Sequence, residues 1–177
     1  MTFQEMQDDM LKRIDNAYAG STTYRALASV SFYESLKKVM LEMPENNFHG
    51  LIYKKALTNV SDYALDTIKV TELKDFVKLL SVRDNAKVKQ YVYKTVSDFE
   101  DNLIKPITAL QNFYTLKEMK IVFYNAIGLT ETANLLYLGI PAIGTSDDMG
   151  KYLNANALEI VIANALPNLR MSIMGAE

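Results

Sequence analysis

The sequence predicts an α+β protein, with an antiparallel helix pair at the amino end, a small antiparallel β-sheet in the middle, and a carboxy-terminal helix packing on the bundle. Three observations carry this expectation. Apolar residues recur at three- and four-residue spacing within residues 1–44 and 147–177. Short runs of β-branched and aromatic residues, parted by polar turns, fill residues 50–141. Capping residues and prolines punctuate both helical stretches. No repeat and no linker divides the chain, so residues 1–177 read as a single domain.

Thr2 and Glu5 form a capping-box pattern, and Phe3, Met6, Met10, Ile14 and Ala17 then make one apolar stripe. Ala19-Gly20 and Ser21-Thr22-Thr23 close this helix and open the next. The second helix is expected over 23–43, with Leu27, Val30, Phe32, Leu36, Val39, Met40 and Met43 on its apolar face and Pro44 ending it. Leu51–Leu57 begins the β-rich part. Phe76–Val82 reads as a strand, Asp84–Lys87 as a turn and Val88–Tyr93 as the returning strand. Ser97 with Glu100 suggests a capped short helix over 98–104. Phe113–Leu116 and Lys120–Tyr124 flank Lys117-Glu118-Met119 as a hairpin without glycine, and Ala133–Leu138 makes a further strand closed off at Pro141. Thr145, Ser146 and Asp147 offer caps for the last helix, where Leu153, Ala157, Leu158, Val161, Ile162, Ala165 and Leu166 repeat at helical spacing. Pro167 is expected to kink or interrupt it.

Composition narrows the function classes. Of 177 residues, 49% are hydrophobic and 23% charged, ordinary values for a globular chain. Nineteen basic against 21 acidic residues leave a net charge of −2, which exerts no strong pull on nucleic acid or anionic lipid. Cysteine is absent, which excludes disulfides, thiolate metal sites and thiol nucleophiles. His49 is the single histidine, so a His-rich metal cluster is excluded and any Ser-His-Asp chemistry would hang on that one ring. The acidic start, with Glu5, Asp8, Asp9 and Asp15, is unlike a secretory leader, and no apolar run approaches the roughly 18–20 residues of a membrane span. The expectation is a soluble chain without a cofactor, used where disulfides are not needed.

The chemistry-bearing patterns are weak. Gly139–Gly144 lacks the Lys-Ser/Thr ending of a phosphate-binding loop and reads as a strand exit. Asp8 and Asp9, adjacent on a helix, diverge by about 100° and read as a solvated face. Asp147 and Asp148 read as negative charge at a helix start. His49 has neither nucleophile nor acid beside it in sequence and reads as a turn or surface residue. Lys37-Lys38 and Lys54-Lys55 are too sparse for a nucleic-acid stripe. What remains is an excess of apolar helix surface, which points to subunit contacts and to an assembly component rather than an enzyme. Two rival readings stand beside it: a single-histidine hydrolase of unknown substrate built on His49, and a small protein-binding module using the methionine stripe.

The order of segments resembles the head–tail connector adaptor (neck, or ring) proteins of tailed bacteriophages. The resemblance rests on the opening Met1-Thr2-Phe3-Gln4-Glu5-Met6 leading to Leu11-Lys12-Arg13-Ile14, the long second helix, and Tyr63-Ala64-Leu65. It continues through Asp75–Arg83, the Ser97-Asp98-Phe99-Glu100 segment, the Tyr114–Tyr124 hairpin, Leu135–Ala142 and the Tyr152–Leu166 helix. Phe48 stands where family members often carry a tryptophan, and Glu118-Met119 where they carry a Gly/Asn turn. The resemblance implies a structural virion protein of the neck, assembled in the host cytoplasm, that closes as a ring under the portal protein, twelve copies matching portal symmetry. It implies tail, nozzle or stopper proteins below and DNA passing through the lumen without sequence-specific binding, with no membrane, cofactor, metal or catalytic residue. Leu169, Arg170, Met171, Ile173 and Met174 are the candidate portal or neighbour contacts on this basis.

Overall fold

The computed structural model describes residues 1–58, 62–64, 74–84, 91–98, 100, 113–118, 120–123 and 132–176. The chain is α+β, with helices at both ends and strands between. Its contacts divide it into two compact units, Met1–Ile52 with Ile140–Glu177, and Tyr53–Gly139. The division falls close to where helical periodicity gives way to β-rich runs.

The helical unit begins with α1 (Phe3–Lys12), capped by the Thr2–Glu5 box: the Glu5 amide donates to Thr2 Oγ1 (3.2 Å) and the Thr2 amide to Glu5 Oε2 (2.8 Å). A helix start leaves four amides without partners inside the helix. Here Phe3 and Gln4 donate theirs to the carbonyls of Asp147 (2.9 Å) and Thr145 (3.0 Å), far along the chain. The apolar stripe expected to reach Ala17 stops short. Asp15 accepts from the Ala17 amide (2.9 Å) and starts a separate 3-10 turn over Asn16–Tyr18, so Ile14 is half-buried and Ala17 exposed. A short aspartate side chain competing for nearby amides ends the helix before the glycine does.

Helix α2 (Thr22–Glu42) follows the expected bounds closely, from the Ser21 cap to Met43 before Pro44. Its buried face is Ala28, Ser31, Phe32, Ser35, Leu36, Val39 and Met40. Val30, expected on that face, is 57% exposed. At about 100° per residue it lies roughly 200° round the helix from Ala28. A 3-10 stretch, Glu45–Leu51, carries the buried Phe48 and Leu51. The last helix, α3 (Ala155–Met174), is capped by Asn154, whose Oδ1 accepts from the Ala157 amide (2.8 Å). The cap is therefore not among Thr145, Ser146 and Asp147. Asp147 and Asp148 serve the preceding turn instead, with Asp148 capping the 3-10 turn Met149–Lys151. Pro167 lies inside α3 without interrupting it. Both Pro167 and Ala163, whose carbonyl loses its helical donor, are exposed, so water can take that bond. Helix α2 packs against both α1 and α3. The core of this unit joins Phe3, Met6, Met10 and Leu11 of α1, Phe32, Leu36 and Met40 of α2, and Val161, Ile162, Leu169 and Ile173 of α3.

In the β-rich unit, β1 (Ile52–Thr58), β7 (Thr132–Pro141) and β3 (Lys74–Asp84) form one sheet in the order β1-β7-β3. A second sheet has the order β2-β6-β5-β4, made of β2 (Asp62–Ala64), β6 (Lys120–Phe123), β5 (Phe113–Lys117) and β4 (Val92–Tyr93). Central position explains the burial of β7 from Ala133 to Gly139 apart from half-buried Leu136. Strands β5 and β6 pair antiparallel as a hairpin with Leu116 opposite Ile121, and the turn puts Glu118 at φ 50°. The glycine-free hairpin thus carries a left-handed non-glycine residue. Leu57, Val82, Tyr91, Ile121, Phe123, Ala133, Leu135 and Tyr137 make a shared core.

Two local expectations change. Val92-Tyr93 does not return along Phe76–Val82 but pairs in parallel with β5, although the Tyr91 amide still donates to the Val82 carbonyl (3.0 Å). Thr95, not Ser97, caps the short helical segment, its Oγ1 accepting from the Asp98 amide (3.2 Å). Leu65, residues 85–90, Phe99, residues 101–104, Met119 and Tyr124, named in the expectations above, lie outside the described residues.

Candidate functional site

Histidine 49 sits in the 3-10 stretch after α2, exposed, with its Nε2–H donating to the Gly150 carbonyl (3.2 Å). That bond holds two backbone turns together. Among the described residues, no carboxylate or hydroxyl contact to the ring accompanies it, and nucleophilic catalysis needs both. The neighbouring Gly50 explains the close approach. Its amide donates to the Tyr152 carbonyl (3.2 Å), and a Cβ there would lie 2.0 Å from the Lys151 carbonyl oxygen.

The paired acids do not converge. Asp8 turns toward α2, where Arg25 grips it at two points and the Gly20 amide adds a third bond (3.1 Å). Arg25 is the first cause that holds the Asp8 carboxyl below its ordinary range. Asp9 reaches Arg13 one turn on (2.8 Å), and Arg13 also makes a two-point contact with Glu159 of α3 at 3.0 and 3.1 Å. Glu159 raises Arg13, and Arg13 lowers Glu159. Asp147 accepts from the Gly144 amide (2.8 Å) and the Tyr152 hydroxyl (3.0 Å), the amide being the main cause that lowers its pKa. Asp148 accepts from the Gly150 amide (3.1 Å), which lowers it likewise. These carboxylates are spent on turns and helix–helix ties. Among the described residues, no three acidic or histidine side chains are grouped so as to hold a metal ion, and no helix is long and apolar enough to cross a membrane. A shallow groove of about 350 Å³ runs between the start of α1 and the 145–146 turn, lined by Thr2, Gln4, Glu5, Asp8, Thr145 and Ser146.

Surface contact is the other kind of site. The five candidate contacts at the end of α3 fall on two faces. Leu169 and Ile173 point into the core at 0% and 1% exposure, where they serve the fold. Met171 and Met174 stand 66% and 71% exposed, and Arg170 is exposed between the two faces. The sequence does not reveal this partition, because the two polar residues of the segment, Arg170 and Ser172, fall on the flanks and leave apolar side chains on both opposite faces. The methionine stripe of α1 is wholly internal: Met6 and Met10 are 0% exposed. On α2 the outward residues Ala26, Val30, Glu34, Lys37 and Leu41 recur at steps of three and four. Sequence reasoning missed this outer stripe because it assigned Val30 to the core. The eleven-residue step from Val30 to Leu41, about three whole turns, was the available signal.

No known family profile matches the chain, and no curated protein matches it significantly.

Proposed function

We propose that this chain is a structural adaptor subunit of a bacteriophage head–tail connector, closing as a ring beneath the portal and offering a platform for tail attachment. The supporting observation is the pair Met171 and Met174, the most solvent-exposed of the large apolar side chains described, on the last turn of a helix whose opposite face is buried. Exposed methionines are adaptable contact residues, able to fit a partner surface without a preformed pocket. With Leu169 and Ile173 committed to the core, the portal contact in this reading falls to Arg170, Met171 and Met174. The near-neutral net charge of −2 also fits a conduit that must let DNA pass rather than hold it.

The rival single-histidine hydrolase has less in its favour, since His49 faces a backbone carbonyl and its nearest turn partners are structural. The decisive experiment measures mass by light scattering for the chain alone and mixed with a portal protein from the same genome. A ring-sized complex on the portal, and the protein's presence in purified virions, are expected. A chain that stays unassembled with that portal and is missing from virions overturns the adaptor reading.

A further inference from the structure

We infer that the outer face of α2 is a self-complementary docking strip, on which a second copy of this chain lies antiparallel across a two-fold axis. The strip is the run Ala26, Val30, Glu34, Lys37 and Leu41, all exposed, with Val30 at 57% and Leu41 at 53%. From Val30 to Leu41 its order is symmetric. A second α2 turned end for end about the point between Ser35 and Leu36 sets Val30 of each copy opposite Leu41 of the other. The same rotation sets Glu34 opposite Lys37, twice over. Ser35 and Leu36 are both buried on the inner side, so the axis passes through the level at which the outer face is free.

Charge chooses this arrangement over its alternatives. A parallel pairing in register would set Glu34 against Glu34 and Lys37 against Lys37, and like charges in direct opposition are unfavourable. The antiparallel one brings two opposite-charge pairs between two apolar pairs, spread over about 16 Å of helix. Among the described residues neither Glu34 nor Lys37 makes an ion pair within its own chain, so both are available. An isologous contact needs one patch that complements itself, and this run has that property. The strip is narrow beside the roughly 1,000 Å² of a firm interface, so the pairing is weak and depends on concentration.

This inference does not rest on the adaptor reading. A two-fold pair is a state of the free chain, and a closed ring of head-to-tail contacts uses other surfaces or releases this one. The two are distinguished by mass.

The test is sedimentation equilibrium of the full chain up to ~0.5 mM, a range that captures weak association, with Glu34→Lys, Lys37→Glu and the double variant. The wild type is expected to approach twice its 20.0 kDa mass as concentration rises. Each single variant should associate at least about tenfold more weakly, since it opposes like charges. The double variant should recover the wild-type constant, because exchanging both signs restores both pairs. Mixing the two single variants should give a heterodimer, because one strip then carries only lysines at the two charged positions and the other only glutamates. All three variants alter exposed helix positions, and unchanged thermal melts establish that they fold. A wild type that remains monomeric throughout overturns the proposal. So does a dimer that ignores both single variants, or two single variants that fail to combine.

Discussion

Arg25 of α2 grips Asp8 of α1 with both arms of its guanidinium, Nε to Oδ1 at 2.8 Å and Nη2 to Oδ2 at 2.7 Å. The side chains are 25% and 22% exposed, so the pair is shielded enough to matter more than a loose surface contact. It ties the first helix to the second at a point where Gly20, between them, also donates its amide to Asp8.

Removing that carboxylate tests the tie. Asp8→Asn should lower the melting temperature by about 2–4 °C at neutral pH, the scale expected for a short, two-point ion pair. Because folding lowers the Asp8 pKa, its contribution is complete above the ordinary value of 3.8 and is lost as pH falls below it. The gap between wild type and Asp8→Asn should therefore narrow when melts are repeated from pH 7 down toward pH 3. A gap that stays constant across that range would show that the charge is not what holds the helices.

Phe32 tests the core of the helical unit. Its ring is fully buried, edge-on to Phe3 at 5.7 Å between centroids. Phe32→Ala should cost about 3–5 kcal/mol in denaturant unfolding, from lost transfer energy and the cavity left between α1 and α2. Phe32→Leu, which keeps most of the volume, should cost under about 2 kcal/mol.

Two glycines should respond to alanine for different reasons. At Gly50 the added methyl meets the Lys151 carbonyl oxygen at 2.0 Å, a backbone atom that cannot swing aside. Gly50→Ala should therefore separate the 3-10 stretch from the 149–151 turn and cost about 1–3 kcal/mol or more. Gly20 has open space around it but sits at φ +84°. Gly20→Ala should cost only about 1–2 kcal/mol, the penalty of a side chain in the left-handed region. Urea denaturation of both variants checks the order.

Much of this unit is written in short-range chemistry and could be read from the sequence. The Thr2–Glu5 box and Pro44 each act within one turn of the residue they control and are found where the pattern puts them, and of the capping cluster Ser21-Thr22-Thr23 it is Ser21 that caps α2, which starts one residue ahead of the expected 23. What escaped reading depends on residues far apart in the chain. The carbonyls that receive the first α1 amides belong to Thr145 and Asp147, and no local pattern announces them. The same limit explains Val92-Tyr93, whose two residues carry strand propensity but no information about which strand they join. Asn154 displaced Thr145 and Asp147 as the cap of α3 because a 3-10 turn intervenes, and several capping residues in a row fit several starts equally well. At the candidate contact face, the end of α3 was legible as apolar but not as two-sided, since Leu169–Met174 lacks a polar phase marker apart from Arg170 and Ser172.

That two-sidedness yields the prediction that separates fold from function at the end of α3. Leu169→Ala and Ile173→Ala remove fully buried groups and should each destabilise the helical unit by about 2–5 kcal/mol. Met171→Asp and Met174→Asp alter exposed positions and should leave stability within about 0.5 kcal/mol. If these methionines meet the portal, both aspartate variants should fold normally, lose attachment to it in co-sedimentation, and fail to complement a virion assembly defect. The pair Met171→Leu and Met174→Leu, which keeps the apolar contact, should retain attachment. Aspartate variants that bind the portal as well as the wild type would move the contact away from α3, leaving its exposed methionines without a part in assembly.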